Sequence, residues 1–147
     1  MRRLRKIAFG FYALSLALIL VLGLLYSFRT EFMPYHRQAV GMPWQDVPGN
    51  MRVLLLALIH GVGVFALALG VTLAAILWFP FRRGEKWADW IMPAILLPVF
   101  TAIFWVAFDI AVSTGAHTPW QGNVVAVVVT LGGAVFCVMD RRSKQSA

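Results

Sequence analysis

The chain has 147 residues, 61% hydrophobic and 13% charged, with a net charge of +7. Soluble domains average ~45–50% apolar and ~25% charged residues, so this composition argues against a soluble domain and for an integral membrane protein. The excess of cations does not point to nucleic acid, because they stand in short clusters beside apolar runs, with no basic stretch interleaved with stacking aromatics.

MRRLRK, Met1 to Lys6, is a basic flank. The apolar run behind it predicts a first helix over about 7–28. A signal peptide would carry an apolar stretch of ~7–15 residues and a small-x-small cleavage site. This run is longer and ends LLYSFRTEF, so it reads as a retained helix. Residues 29–50 follow as a polar loop, in which Pro34 to Val40 can form a short interfacial helix and Tyr35 and Trp44 suit the headgroup region. The second helix is predicted over about 52–79. Ala57 and Gly61, then Ala66, Gly70 and Ala74, recur on it at a spacing that lets helix backbones approach in lipid. Its one ionisable side chain beyond Arg52 is His60. The run FRRGEKWADW then forms a basic loop, with Trp78, Trp87 and Trp90 as an aromatic belt.

A third helix is predicted over about 90–112. It carries Pro93 and Pro98, each of which removes a backbone hydrogen bond and can kink the helix, and Asp109 near its far end. Residues 113–123 form a second polar loop with His117. The fourth helix, about 124–139, is rich in Val, with Gly132 and Gly133 as close contacts, and DRRSKQSA closes the chain as a basic tail. The lone cysteine, Cys137, permits no intrachain disulfide and reads as a small buried hydrophobe.

Of the 13 Lys and Arg, ten flank the N-terminus, the middle loop and the tail, and Arg29, Arg37 and Arg52 fall on the other side. The positive-inside rule then places both termini in the cytoplasm and loops 29–50 and 113–123 outside. Short connections make sequential helices neighbours. The expected architecture is one all-α membrane domain, residues 1–147, folded as an up-down-up-down four-helix bundle.

The polar chemistry collects in the outer half. With outer boundaries near Val53 and Ser113, His60 lies ~10 Å deep and Asp109 ~6 Å deep at ~1.5 Å per residue. An unpaired Asp in hydrocarbon costs at least ~2.5–3.5 kcal/mol, so Asp109 is expected to turn inward to His60, Arg52 or the outer loop, and His60 and Asp109 are read as the core of a pocket between the second and third helices. Glu31, His36, Arg52 and His117 would rim that outward-facing pocket. Three functions suit it. His60 and Asp109 can be a buried structural pair in an accessory or assembly subunit of a membrane complex, the leading reading. The pocket can take a small lipid or quinone-like ligand, or serve transport or a proton relay. Glu31, His36, His60, Asp109 and His117 can converge on a metal ion, although no local ligand spacing such as H-E-x-x-H occurs. Haem lacks a second buried histidine. An enzyme has little support: no G-x-S-x-G occurs, and Gly61-Val-Gly63 is mid-helix, a packing feature and not a phosphate loop. The bilayer, other membrane subunits or a second copy are the expected partners; the cofactor is open, with none expected first and a metal ion as the alternative.

MPYH (Met33 to His36), PFRRGEKWA after the second helix and the turn TGAHTPW resemble motifs of small bacterial four-span membrane proteins that carry no assigned activity. The resemblance covers most of the chain. It implies a bacterial inner-membrane location and marks MPYH and TGAHTPW, both in the outer loops, as the signature.

Overall fold

A computed structural model describes residues 2–145, with side chains through Ser143. The described residues form helices α1 (Arg3–Ser27), α2 (Pro34–Val40), α3 (Gly49–Ile76), α4 (Lys86–Thr114) and α5 (Trp120–Gln145), and no strand. Four of them, α1, α3 with its extension to Phe81, α4 and α5, are long and apolar enough to cross a membrane. Their outer faces are apolar: Phe65 and Trp105 are 79% and 67% exposed, which only a non-aqueous surrounding or a partner accommodates.

The long helices overrun the apolar segments, because Arg, Lys, Glu and Gln are good helix formers and continue each helix beyond the lipid-like stretch. Hence α4 begins at Lys86 and α5 reaches Gln145. The short helix at Pro34–Val40 forms as expected. Proline opens it, where a missing N–H costs nothing, and Gly41 closes it at φ +74°. α4 runs through both Pro93 and Pro98.

The end of α3 changes character at Leu77–Phe81, which winds as one turn of π-helix around Pro80. Proline clashes with the carbonyl four residues back, and a widened turn relieves the clash. The chain then stops in a Schellman motif: Gly84 N–H donates to the Phe81 carbonyl and Glu85 N–H to the Pro80 carbonyl, both at 3.1 Å, with Gly84 at φ +86°.

The first helix is the hub. α1 packs on α3 along one side and on α5 along the other, α5 also packs on α4, and α3 scarcely touches α4. Small residues set the close contacts. A Cβ on Gly63 would stand 2.4 Å from the Ser27 backbone nitrogen, one on Gly70 would stand 2.6 Å from the Leu20 side chain, and one on Gly133 would stand 2.8 Å from the Tyr12 ring. Gly132, Ala66 and Gly70 thus lie on packed faces. Gly61 has open space where its Cβ would be and Ala57 is exposed, so Gly63 is the tight point. Tyr12, Leu73, Phe81, Met92 and Leu96 fill the core. Among them Ser15 Oγ and Thr130 Oγ1 form a 3.0 Å hydrogen bond between α1 and α5.

The helices differ in length, and this fixes the loop end. Gly49–Phe81 has 33 residues, ~50 Å at ~1.5 Å per residue, against a ~30 Å hydrocarbon core. Ser27, the last residue of α1, sits beside Gly63, so residues 49–62 extend beyond the end of α1. Loop 29–48 folds against that extension, where Phe32, Val47 and Ile59 form a second small core flanked by Tyr26, Trp44 and Leu55.

Candidate functional site

The principal buried charge cluster is at the basic end, away from the histidines. Arg5, Asp89 and Asp140 are 5%, 4% and 1% exposed. Arg5 comes from the first turn of α1, Asp89 from the first turn of α4, Asp140 and Arg141 from the last turns of α5. Arg5 Nη2 donates to Asp89 Oδ1 at 2.6 Å, and Arg5 Nε donates to the Phe81 carbonyl at 2.9 Å. Asp140 Oδ2 stands 3.9 Å from Arg5 Nη1. Arg141 Nε donates to Asp89 Oδ2 at 2.9 Å, and its Nη2 donates to the Lys86 carbonyl. Arg5 also lies over the Phe81 ring at 4.5 Å, and Arg141 over Trp90 at 5.0 Å. Two guanidiniums thus face two carboxylates, and the cluster joins α1, the π turn, α4 and α5. Burial of each charge is tolerable because the others balance it and a carbonyl takes a remaining donor. In the sequence these residues stand as flanking charges. The available signal is the position of Asp89 and Asp140, acids at helix boundaries within the basic flanks.

At the loop end, His60 Nε2 donates to the Arg29 carbonyl at 2.7 Å, which puts the ring proton on Nε2. His60 stands three residues from Gly63, level with the end of α1 and not deep between helices. Asp109 is exposed on α4. It is level with the start of α5, since Thr118 Oγ1 donates to the Ala107 carbonyl at 2.7 Å and Phe108 meets Trp120. The structure therefore does not bring His60 and Asp109 together. Their helices barely touch, and the outer boundary on α3 lies nearer Gly63 than Val53, since residues 49–62 extend beyond the end of α1.

The rim residues are dispersed. Glu31 is exposed and Arg52 half-buried. His117 is exposed, and its backbone N–H donates to Gln38 Oε1 at 2.8 Å, tying the two polar loops together. His36 is half-buried against the Tyr35 and Tyr26 rings, with centroids 4.2 and 6.4 Å away, and its Nδ1 accepts the Met33 N–H at 3.3 Å. Burial, then the Arg29 guanidinium, lowers the His36 pKa below its usual 6.5. Tyr35 shares a hydroxyl hydrogen bond with Tyr26. Burial, followed by that bond, pushes the Tyr35 phenol well above its usual range. Among the described residues no three His, Cys, Asp or Glu side chains gather as metal ligands would, so Glu31, His36, His60, Asp109 and His117 do not converge.

No family model, curated protein or solved structure matches the chain. Function is argued from the geometry.

One apolar cleft of about 200 Å³ opens between α1, α4 and α5, lined by Leu18, Leu22, Phe100 and Ile103, with Asn123 as its polar residue. Its walls are mostly apolar, and neither His60 nor Asp109 borders it.

Proposed function

We propose that the chain is a multi-pass protein of the bacterial inner membrane that serves as an accessory or assembly subunit of a membrane complex. In this reading it is an up-down-up-down four-helix bundle with both termini in the cytoplasm. The carrying observation is the use of its buried polar groups. Arg5, Asp89 and Arg141 bind one another across helices, Ser15 binds Thr130, and His60 binds a loop carbonyl. Such pairing builds a rigid scaffold and leaves apolar outer faces for lipid or partner helices.

The topology has support in the order of contacts. Ser27, Gly23 and Leu20 of α1 meet Gly63, Leu67 and Gly70 of α3, one sequence descending as the other ascends. Ten of the 13 Lys and Arg belong to the segments around the buried ion cluster, which supports a cytoplasmic location for that end.

Photo-crosslinking from Trp105 and Phe65 in native membranes tests the assembly role. The expected product is a discrete heavier band containing a second membrane protein. Lipid adducts alone at both positions would refute it. A reporter active only in the periplasm, fused after Ala147, should be silent, and activity there would reverse the orientation. The second reading, a small lipid or quinone-like ligand, draws on the cleft beside Asn123. It predicts a co-purifying extractable molecule that Phe100→Ala releases.

A further inference from the structure

The ion cluster uses the acids of the basic end and leaves a group of cations without them. Asp89 is held by Arg5 and Arg141, Asp140 lies beside Arg5, and Glu85 accepts the Trp87 indole N–H at 2.6 Å. Lys6, Arg82 and Arg83 form no ion pair among the described residues. These three cations line one groove of about 490 Å³ with Trp78 and Phe79. An adjoining hollow of about 280 Å³ shares Lys6, Trp78 and Arg82 and adds Phe9.

The groove is built by local structure. The π turn around Pro80 carries Trp78 and Phe79, and the helical turn after it carries Arg82 and Arg83, before Gly84 ends the helix. Arg82 lies over the Trp78 ring at 4.4 Å, which restrains the guanidinium. Phe9 meets Trp78 with centroids 6.3 Å apart and supports the ring from α1. Three cations therefore converge where the apolar part of α3 ends, with aromatic rings continuing the surface toward the hydrocarbon side.

We propose that this groove binds the phosphate headgroup of an anionic lipid, with Lys6, Arg82 and Arg83 on the phosphate and Trp78, Phe79 and Phe9 against the upper acyl chain. Basic pockets of this kind beside membrane helices suit lipid headgroups, and guanidinium geometry matches phosphate oxygens. The proposal rests on the membrane reading of the helices and is independent of any protein partner.

The test uses the full chain in nanodiscs of phosphatidylcholine with and without phosphatidylglycerol at fixed ionic strength. Lipid retention is read by native mass spectrometry after gentle release, and thermal stability in parallel. The expected result is retained phosphatidylglycerol and a higher Tm with it than with phosphatidylcholine alone. Retention should fall about fivefold for each cation removed, in Lys6→Gln and in Arg82→Gln/Arg83→Gln. Arg2→Gln/Arg3→Gln removes equal charge outside the groove and should retain the lipid. Equal retention of both lipids overturns the proposal, as does an equal loss in the Arg2/Arg3 control. Full stabilisation by inorganic phosphate in phosphatidylcholine discs would mark a free-anion site and overturn it too. If the double variant fails to insert, Lys6→Gln and Trp78→Leu each carry the same expectation of lost retention. A wild type that does not enter the bilayer refutes the membrane reading as well, whereas insertion without headgroup preference refutes this proposal alone.

Discussion

Arg5 and Asp89 face each other across 84 positions of sequence, with Arg5 Nη2 2.6 Å from Asp89 Oδ1 and both side chains almost wholly buried. Removing one partner of such a pair strands the other charge, which costs ~3–5 kcal/mol. Asp89→Leu is therefore expected to lower unfolding stability in detergent by that amount, since it leaves both Arg5 and Arg141 without their shared carboxylate. Arg5→Met/Asp89→Leu, which removes the stranded Arg5 charge as well, should recover part of the loss. A double variant as unstable as the sum of its singles would show that the two do not act as a pair.

The contact of Gly63 with Ser27 makes a second, steric prediction. A Cβ 2.4 Å from the Ser27 backbone nitrogen forces α1 and α3 apart, and Gly63→Ala should cost ~1–3 kcal/mol as overpacking does. Gly61→Ala, two residues away, meets nothing within 4 Å and should be neutral or stabilising by up to ~1 kcal/mol through helix propensity. Thermal unfolding of both variants in one detergent separates the positions, and equal losses would refute the packing register.

That contrast shows what the residues disclose before folding. Four apolar runs of sufficient length, the short helix after Pro34 and the tight pair Gly132–Gly133 are local properties, and all follow from spacing and composition. The face of α3 that meets α1 does not, because on a helix apolar all round, Gly61 and Gly63 differ only in which neighbour the fold supplies. Pairing is likewise non-local. Arg5, Asp89 and Arg141 look like separate flank charges until three helix ends meet, whereas His60 drew attention by standing alone in an apolar run. The order of helices around α1 decides both matters: α1 and α5 take most of the packing, and α3 scarcely touches α4.

His60 therefore holds a loop. Its Nε2 donor on the Arg29 carbonyl secures the start of segment 29–48. His60→Leu leaves that carbonyl unmatched, a loss of ~1–3 kcal/mol felt locally. The expected outcome is faster tryptic cleavage after Arg37, at least about fivefold for ~1 kcal/mol of local opening, with the long helices unchanged. His60→Gln, which keeps a donor, should restore part of the protection. Asp109→Asn should change stability by less than ~0.5 kcal/mol, as exposed sites do, and should not couple to His60→Leu in a double-mutant cycle. Coupling above that level would reinstate them as a pair.

The final prediction concerns acid. His36 is packed against Tyr35 and Tyr26, accepts the Met33 N–H on Nδ1, and has its pKa lowered by burial and then by Arg29. The folded state thus disfavours the imidazolium, while the unfolded chain protonates near the ordinary ~6.5. As pH falls through ~6.5 the unfolded state binds the extra proton, so stability decreases, and the loss is complete once pH passes below the lowered folded value. Protonation also removes the Nδ1 acceptor that caps α2. Tm measured from pH 7.5 down to pH 5 should decline in the wild type and decline less steeply in His36→Gln, which cannot take up the proton. Parallel slopes would mean that another group carries the acid sensitivity and that His36 titrates alike in both states.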